Sequence, residues 1–172
     1  MSPPDPALSH SASHYCTELE DAGWAEIGNG VGGRVFHRDM EPEVIKVTDG
    51  DDCYLTFAKH ASDHPQECLP KLEIKHRDDQ WAVIHIEKLN LLSEENSKAL
   101  MNWWDRYIVA RKANSTLPSP KNWSDFVARM FDLANNCGCD IDIQPNNAMQ
   151  RGSTLVFIDP LSPGANVPVL KP

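Results

Sequence analysis

Three oxygen-bearing side chains in the last third of the sequence have the types and spacing of a metal-assisted group-transfer site. Asp142 and Asn147 stand five positions apart around a proline-containing loop, and Asp159 ends an apolar, strand-like run. Carboxylate and amide oxygens are the ligands that Mg²⁺ prefers, and a carboxylate beside an attacking group can accept its proton. This stretch is therefore the strongest indication of phosphoryl-transfer chemistry in the chain.

A glycine-rich segment earlier in the chain has the spacing of a phosphate-binding loop. Residues 28–36 match G-x-G-x-x-G-x-V and lie between two predicted strands. A dinucleotide-binding fold places such a motif between a strand and a helix, whereas residues 34–37 continue here as a strand. In a hairpin, the glycines allow backbone N–H groups to close over phosphates. A flexible turn without a ligand is the alternative interpretation of this motif by itself.

A single lysine interrupts the apolar run that follows the glycine-rich segment. Lys46 lies within Val44-Ile45-Lys46-Val47, which is predicted to be a strand. Burying an unpaired charge is costly, so its ammonium must reach an anion or water. Next to a glycine-rich hairpin, the obvious anion is a nucleotide phosphate. The alternative is an edge-strand lysine whose ammonium reaches solvent along its apolar stem.

Along the segments that must position these residues, the hydrophobic pattern alternates between the period of a strand and the period of a helix. Period-2 patterns and turn residues predict strands over residues 24–28, 34–37, 44–47, 71–75 and 81–87, with a final hairpin over 147–159. Helical periodicity and capping signals predict helices over 11–22, from 51 to before Pro65, over 93–112, and from a Ser124 N-cap to Gly138. Residues 160–172 are predicted to be irregular. The order is a five-stranded sheet with one inserted helix, followed by helices and two short strands.

These motifs together resemble the protein-kinase-like superfamily, over residues 24–161. Asp-Ile-Gln-Pro-Asn-Asn-Ala-Met at 142–149 resembles the catalytic loop of protein kinases and aminoglycoside phosphotransferases, and Leu-Val-Phe-Ile-Asp-Pro at 155–160 resembles the strand leading to their metal-binding aspartate. The pattern N-x-M-x-R-G-x-x-x-V-x-x-D-P-L-S at 147–162 is similar to small kinase-like proteins of tailed bacteriophages.

The resemblance implies an α+β, protein-kinase-like fold in one domain. Its amino-terminal lobe, residues 11–88, would hold an antiparallel five-stranded sheet with one helix. Its reduced carboxyl-terminal lobe, residues 89–172, would be mostly helical, and residues 1–10 would form a disordered leader.

The resemblance also implies the roles of individual residues, with ATP and Mg²⁺ as cofactors. Asp142 and Lys46 would be catalytic, with Asp142 as the base and Lys46 on the α- and β-phosphates, and Asn147 and Asp159 would hold Mg²⁺. The segment 84–89 resembles the hinge that binds adenine through its backbone. The implied ATP-binding residues are Gly28, Gly30, Gly33, Val35, Lys46, Glu87 and Leu89.

Several positions depart from the kinase pattern and leave more than one function open. Asp140 stands where kinases usually have histidine, and the helix after Lys46 contains no glutamate. Asp51 or Asp52 would replace that glutamate, or both would be charges that stabilise the helix start. The thirteen residues after Asp159 leave no room for peptide-docking helices, so we expect a small acceptor, one presented by a partner, or one bound on the helices of residues 93–136.

Three functions therefore remain open at this point. The first is a minimal ATP-dependent phosphotransferase that moves the γ-phosphate to an unknown acceptor. The second is a pseudokinase that acts by binding a host or partner protein without catalysis. The third is a structural domain whose motifs are coincidental.

Length and charge limit the class of protein further. The 172 residues, of which 41% are hydrophobic, are enough for one domain and too few for two ordinary ones. The 25 acidic residues against 16 Lys and Arg give a formal charge of −9, which repels nucleic-acid backbones and anionic membrane surfaces. Residues 1–10 contain no signal-like apolar stretch. We expect a cytoplasmic protein, in the host cytoplasm if it is encoded by a phage, without a nucleic-acid or membrane partner.

Overall fold

Four helices and ten short strands make up the computed structural model of the chain, which describes residues 2–30 and 32–164. The helices are α1 (Ala12–Asp21), α2 (Asp52–Asp63), α3 (Glu94–Lys112) and α4 (Lys121–Cys137). The strands are β1 (Ala25–Gly30), β2 (Gly33–His37), β3 (Glu43–Thr48), β4 (Leu72–Arg77), β5 (Ala82–Glu87), β6 (Asn90–Leu91), β7 (Cys139–Ile141), β8 (Ala148–Arg151), β9 (Thr154–Phe157) and β10 (Leu161–Pro163).

The chain divides into two compact units. One comprises Met1–Pro65 and Lys71–Lys88, and the other comprises Gln66–Pro70 and Leu89–Pro172. The first unit contains a five-stranded sheet in the order β1-β2-β3-β5-β4, with antiparallel neighbours throughout. The predicted five-stranded sheet with one inserted helix, α2, is therefore confirmed, and the chain is an α+β protein.

The two faces of the first unit's sheet follow from the alternation of side chains along β3. Ile45 and Val47 point to one face and are almost fully buried there, together with Phe36 of β2. Tyr15 and Leu19 of α1 belong to the same buried cluster. Because successive strand residues point to opposite faces, Lys46 lies on the face opposite α1.

The predicted N-cap is found at the start of α3 but not of α4, and Asp51, predicted to lie in the acidic first turn of α2, is the N-cap of that helix. The side chains of Asp51 and Ser93 each accept a hydrogen bond from a backbone N–H in the first turn of their helices. Ser124, predicted to be the N-cap of α4, is instead buried inside that helix, and its hydroxyl donates to the carbonyl of Pro118 over 2.7 Å. Pro120 occupies the N-cap position, so α4 begins at Lys121, four residues earlier than a Ser124 N-cap would have placed its start. The predicted end at Gly138 is confirmed, with φ of 73°.

Aromatic side chains form the core of the second unit. Trp103 of α3 is buried, and its ring lies 5.3 Å from Tyr107 and 6.4 Å from Phe157 of β9, between ring centroids. Phe126 of α4 lies 5.1 Å from the same Phe157 ring. Trp104, the neighbour of Trp103, is half-buried and stacks on Tyr107. The core of this unit therefore holds β9 against both of its helices.

Short elements also occur where the sequence suggested little structure. Pro6–Leu8 forms a 3-10 helix within the predicted leader, and the Tyr15 hydroxyl donates to the carbonyl of Pro4 over 3.1 Å. Leu161–Pro163 forms β10, which pairs with β7, so these three residues are not irregular as predicted. The remainder of that prediction, residues 165–172, lies outside the described residues. No helix in the described part of the chain has both the length and the apolar character needed to cross a bilayer.

Candidate functional site

The glycine-rich segment forms a β-hairpin in the first unit. Strands β1 and β2 pair from Ala25 opposite His37 to Gly30 opposite Gly33, with a bulge at Ile27. The side chain of Arg34 bridges the pair, because its guanidinium lies 2.5 Å from a carboxylate oxygen of Glu26. The G-x-G-x-x-G segment therefore lies in a β-hairpin, as the sequence predicted, but its first glycines belong to β1 and Gly33 begins β2.

The glycines of this hairpin differ in whether the surrounding structure excludes a side chain at their position. At Gly33, φ is +112°, and an added Cβ would stand 2.3 Å from the Val47 carbonyl oxygen. The fold itself therefore excludes a side chain there. An added Cβ at Gly28 would make only ordinary contact with Val35, and one at Gly30 would meet no atom within 4 Å. Among the described residues, no packing contact of the hairpin excludes a side chain at these two glycines.

A row of cross-strand neighbours runs over the sheet face opposite α1. Gly28 pairs with Val35, Val35 with Lys46, and Lys46 with Ile84. Directly paired residues point to the same face of a sheet, so these four positions are adjacent on one surface. The structure thus brings three predicted site residues, Gly28, Val35 and Lys46, together within the first unit.

Lys46 is a buried cation in this row. It is 7% exposed, and its ammonium nitrogen lies 3.1 Å from the centroid of the Tyr54 ring in α2. The negative face of an aromatic ring attracts a cation, and most strongly where water is excluded. The alternative of an edge-strand lysine is wrong, because β3 is the central strand of the sheet.

The predicted adenine-binding segment begins in β5. The side chain of Glu87 accepts a hydrogen bond from the Lys71 N–H over 2.6 Å, and its own N–H donates to the Lys71 carbonyl. Glu87 pairs with Glu43, so its side chain lies on the face opposite Lys46. Any contact of Glu87 with a ligand on the Lys46 face has to come from its backbone. Leu89 belongs to the second unit and is half-buried.

In the second unit, backbone hydrogen bonds bring Asp142, Asn147 and Asp159 together. The N–H of Asp142 donates to the Pro160 carbonyl over 2.9 Å. The N–H groups of Ile158 and Asp159 both donate to the Asn147 carbonyl, over 3.0 Å and 3.3 Å. The ladders on either side continue this alignment, with β7 paired to β10 and β8 paired to β9. Three residues that the sequence places up to 17 positions apart are therefore neighbours.

The carboxylate of Asp142 is held by two side-chain amides. Asn147 donates from Nδ2 to Asp142 Oδ2 over 2.8 Å and to the Asp142 carbonyl over 3.0 Å. Gln144 donates from Nε2 to the same Oδ2 over 3.0 Å. Both donors are neutral, so Asp142 is oriented without being joined to a cation by these contacts. A half-buried carboxylate fixed in this way is suited to accept a proton.

The same geometry suits Asn147 and Asp159 as ligands of Mg²⁺. Because Nδ2 of Asn147 faces Asp142, the amide oxygen of Asn147 is turned away from that carboxylate. Asp159 supplies a half-buried carboxylate on the adjoining strand end. The described residues contain no group of three or more His, Cys, Asp and Glu side chains placed to hold a metal. A pair of protein ligands fits Mg²⁺ bound together with nucleotide phosphates, since this ion is usually held by few side chains.

Two residues beside the predicted site were not among the predicted site residues. Gln144 is an amide two positions after Asp142 in the sequence, and it immediately precedes the 3-10 turn at Pro145–Asn147. The kinase pattern places a carboxylate on the helix of Tyr54, so that pattern does not single out an aromatic residue there. The signal available was an aromatic residue in the first turn of the helix that follows the Lys46 strand.

Comparisons with protein-family models and with curated proteins find no match for this chain.

Proposed function

We propose that this chain is an ATP- and Mg²⁺-binding protein of protein-kinase-like fold, with a phosphoryl-transfer loop at Asp142. The observation that carries the proposal is the hydrogen-bonded grouping of Asp142, Asn147 and Asp159 in the second unit. A carboxylate base and two metal-ligand oxygens in one place are what transfer of a phosphoryl group needs from side chains.

The first unit supports the nucleotide-binding half of the proposal. Gly28 and Gly30 leave backbone exposed on the hairpin, and Lys46 offers a cation on the same sheet face as Gly28 and Val35. We assign the phosphates to this hairpin and to Lys46, and adenine to the backbone of residues 84–89. Lys46 would hold the phosphates in place, and its fixed positive charge would favour them over neutral ligands.

In the second unit, each residue would have one task. Asn147 and Asp159 would hold Mg²⁺, which supplies charge neutralisation to the phosphate oxygens when bound. Asp142 would accept the proton of the acceptor hydroxyl, with Asn147 and Gln144 keeping its Oδ2 in place. The acceptor is a small molecule or a group presented by a partner protein.

A pseudokinase is the second candidate, and one feature favours it. The residue of α2 that faces the Lys46 ammonium at 3.1 Å is an aromatic ring, in a helix that has no glutamate to offer. A chain of this kind would bind the nucleotide and act through a host or partner protein. A phosphotransferase and a pseudokinase of this kind would both bind ATP, and only the phosphotransferase would transfer phosphate.

Thermal unfolding with and without ATP and Mg²⁺ tests the proposal. A ligand that binds only the native state at 100 times its Kd stabilises it by about 2.7 kcal/mol. For a chain of this size, that corresponds to a rise in Tm of about 5–11 °C. We expect the rise in the wild type and its loss in both Lys46→Ala and Asp159→Asn.

Two matched control variants remove one positive and one negative charge at exposed positions outside the proposed site. Lys59→Ala removes an exposed cation of α2, and Asp125→Asn removes an exposed carboxylate of α4. Both controls should retain the rise in Tm. A wild type whose Tm does not change at millimolar ATP and Mg²⁺ would refute nucleotide binding.

A further inference from the structure

One arginine of the glycine hairpin is joined to the helix that precedes the hairpin. Arg34 follows Gly33 at the start of β2, and its Nη2 donates to Glu20 Oε1 of α1 over 2.7 Å. Its Nε donates to Glu26 Oε2 of β1 over 2.6 Å. Its guanidinium carbon lies 5.0 Å from the centroid of the buried Phe36 ring. One side chain therefore connects α1 to both strands of the hairpin.

Helix α1 offers this arginine a fixed point of attachment. Tyr15 and Leu19 of α1 are fully buried, in the same cluster as Ile45 and Val47 of β3. Leu19 immediately precedes Glu20, so the buried side of α1 sets the position of that carboxylate. Strand β1, in contrast, lies at the edge of the sheet beside β2. An edge strand is held by fewer ladder hydrogen bonds than a central one, so its contacts with a helix matter more to its position.

Arg34 lies on the face of the sheet opposite the proposed phosphate site. It pairs with Val47, whose side chain is buried on the α1 face. Gly28, Val35 and Lys46 lie on the other face. The guanidinium is also bonded to two carboxylates, so it does not present a free positive charge to the phosphates. Any effect of Arg34 on a nucleotide must pass through the position of the hairpin.

We propose that α1 positions the glycine hairpin for the nucleotide phosphates, through the Arg34 guanidinium that joins Glu20 to Glu26. This inference rests on the proposed nucleotide site. Backbone N–H groups that are held in place before the ligand arrives bind it more tightly, because less ordering is required on binding. Arginine suits this task because its planar guanidinium presents several N–H donors in a fixed geometry. Helix α1 precedes residues 24–161, so this role is not one that the kinase resemblance implies.

Amide hydrogen exchange tests the attachment without any nucleotide. Glu20→Gln removes the ion pair with Arg34 and keeps the length of the side chain. The amides of β1 should then exchange about two- to fivefold faster, the effect expected of one partly exposed ion pair. Asp21→Asn is the matched control, since it removes the same charge from the next residue of α1, which is exposed. It should leave these rates unchanged. Equal rates in the wild type and in Glu20→Gln would overturn the inference.

Affinity for Mg·ATP, measured by calorimetry, tests the consequence for binding. Removal of a negative charge should by itself favour the binding of an anion. We expect Glu20→Gln to weaken binding instead, by about two- to fivefold, because the hairpin loses its attachment to α1. Asp21→Asn makes the same change of charge and should bind at least as tightly as the wild type. Equal affinities of Glu20→Gln and Asp21→Asn would overturn the inference.

A double-mutant cycle shows whether Glu20 acts through Arg34. With Arg34→Met in the background, Glu20→Gln should cause no further loss of affinity, because the cation through which it acts is gone. The same loss in both backgrounds would overturn the inference. Failure of the wild type to bind Mg·ATP would instead refute the proposed function, and the exchange rates of β1 would then decide whether α1 holds the hairpin in place.

Discussion

The glycine hairpin of the first unit and the Asp142 loop of the second unit present their groups in opposite ways. In the hairpin, Gly30 is exposed, and an added Cβ there would meet no atom within 4 Å. In the loop, Asp142 is held by its own N–H, by its carbonyl and by two amide donors to its carboxylate. One region leaves its backbone open, and the other fixes a side chain.

The difference matches what each region is proposed to do. Backbone N–H groups that cover phosphates need close approach and no side chain in the way. A base and metal ligands need fixed side-chain oxygens, since an error of 1 Å in their placement lowers a reaction rate severely. The second unit provides this through the buried ring of Phe157, which lies two residues before Asp159. Substitutions in the two regions should therefore affect different quantities.

Loss of the Asp142 carboxylate should have the largest effect of the substitutions considered. It should slow the transfer of phosphate without weakening the binding of ATP. We expect Asp142→Asn to slow transfer of phosphate from γ-labelled ATP by about 10²–10⁴-fold, the contribution of a general base. The ATP-dependent rise in Tm should remain. Labelling of acceptors in a cell lysate provides the measurement, with Asp140→Asn as the neighbouring carboxylate control. Undiminished labelling by Asp142→Asn would remove this residue from the mechanism, and no labelling by the wild type would favour the pseudokinase.

Truncation of Phe157 should have the next largest effect, and it should act on stability. The ring is fully buried and contacts Trp103, Trp123 and Phe126, so Phe157→Ala should lower the free energy of unfolding by about 3–5 kcal/mol. Urea denaturation measures this change. Val109→Ala, at a site that is 67% exposed in α3, should stay within about 0.5 kcal/mol of the wild type. Equal stability of the two variants would contradict the packing described for β9.

Alanine substitutions at Gly33 and Gly30 should separate an effect on stability from an effect on ATP binding within one hairpin. Gly33→Ala should cost about 1–3 kcal/mol of unfolding free energy, because its φ is unfavourable for alanine and its Cβ meets the Val47 carbonyl. Gly30→Ala should change stability by no more than about 0.5 kcal/mol. It should nevertheless weaken Mg·ATP binding, since its methyl group would occupy the open side of the hairpin. A Gly30→Ala variant with wild-type affinity would argue against phosphate binding there.

Removal of the Asn147 amide should have a smaller effect on stability than truncation of Phe157. Asn147→Ala loses two hydrogen bonds to Asp142, each half-buried, and should cost about 1–2 kcal/mol of unfolding free energy. If Asn147 also holds Mg²⁺, the variant should need more Mg²⁺ than the wild type to reach the same ATP-dependent rise in Tm. A titration with Mg²⁺ at constant ATP measures this, and identical curves would leave Asn147 with a structural role only.

Much of the secondary structure followed from local signals in the sequence. The alternation around Lys46, the glycines of the hairpin and the caps at Asp51 and Ser93 all act over a few residues, and each element appears where it was predicted. The start of α4 was predicted wrongly. Ser124 has the chemistry of an N-cap, and only its burial and its hydrogen bond to the Pro118 carbonyl show that it has another role. Strands β6, β7 and β10 were missed because two or three residues carry no period of their own.

The candidate site, like the secondary structure, could be predicted only in part from the sequence. Asp142, Asn147 and Asp159 were predicted as site residues from residue type and spacing, since the chemistry of oxygen ligands can be read from the chain itself. Their mutual placement depends on hydrogen bonds between Asp142 and Pro160 and between Asn147 and Asp159, which join segments that are far apart in sequence. Spacing along the chain says nothing about such bonds.

What the sequence determined by itself was the four helices and the longer strands, the glycine hairpin and the residue types suited to phosphate and Mg²⁺. Tertiary structure alone decided which glycine the fold requires, which face of the sheet Lys46 occupies and that an aromatic ring lies over its ammonium. The physical reason is that capping and periodicity act between near neighbours, whereas burial and contact between elements depend on how the whole of a unit packs.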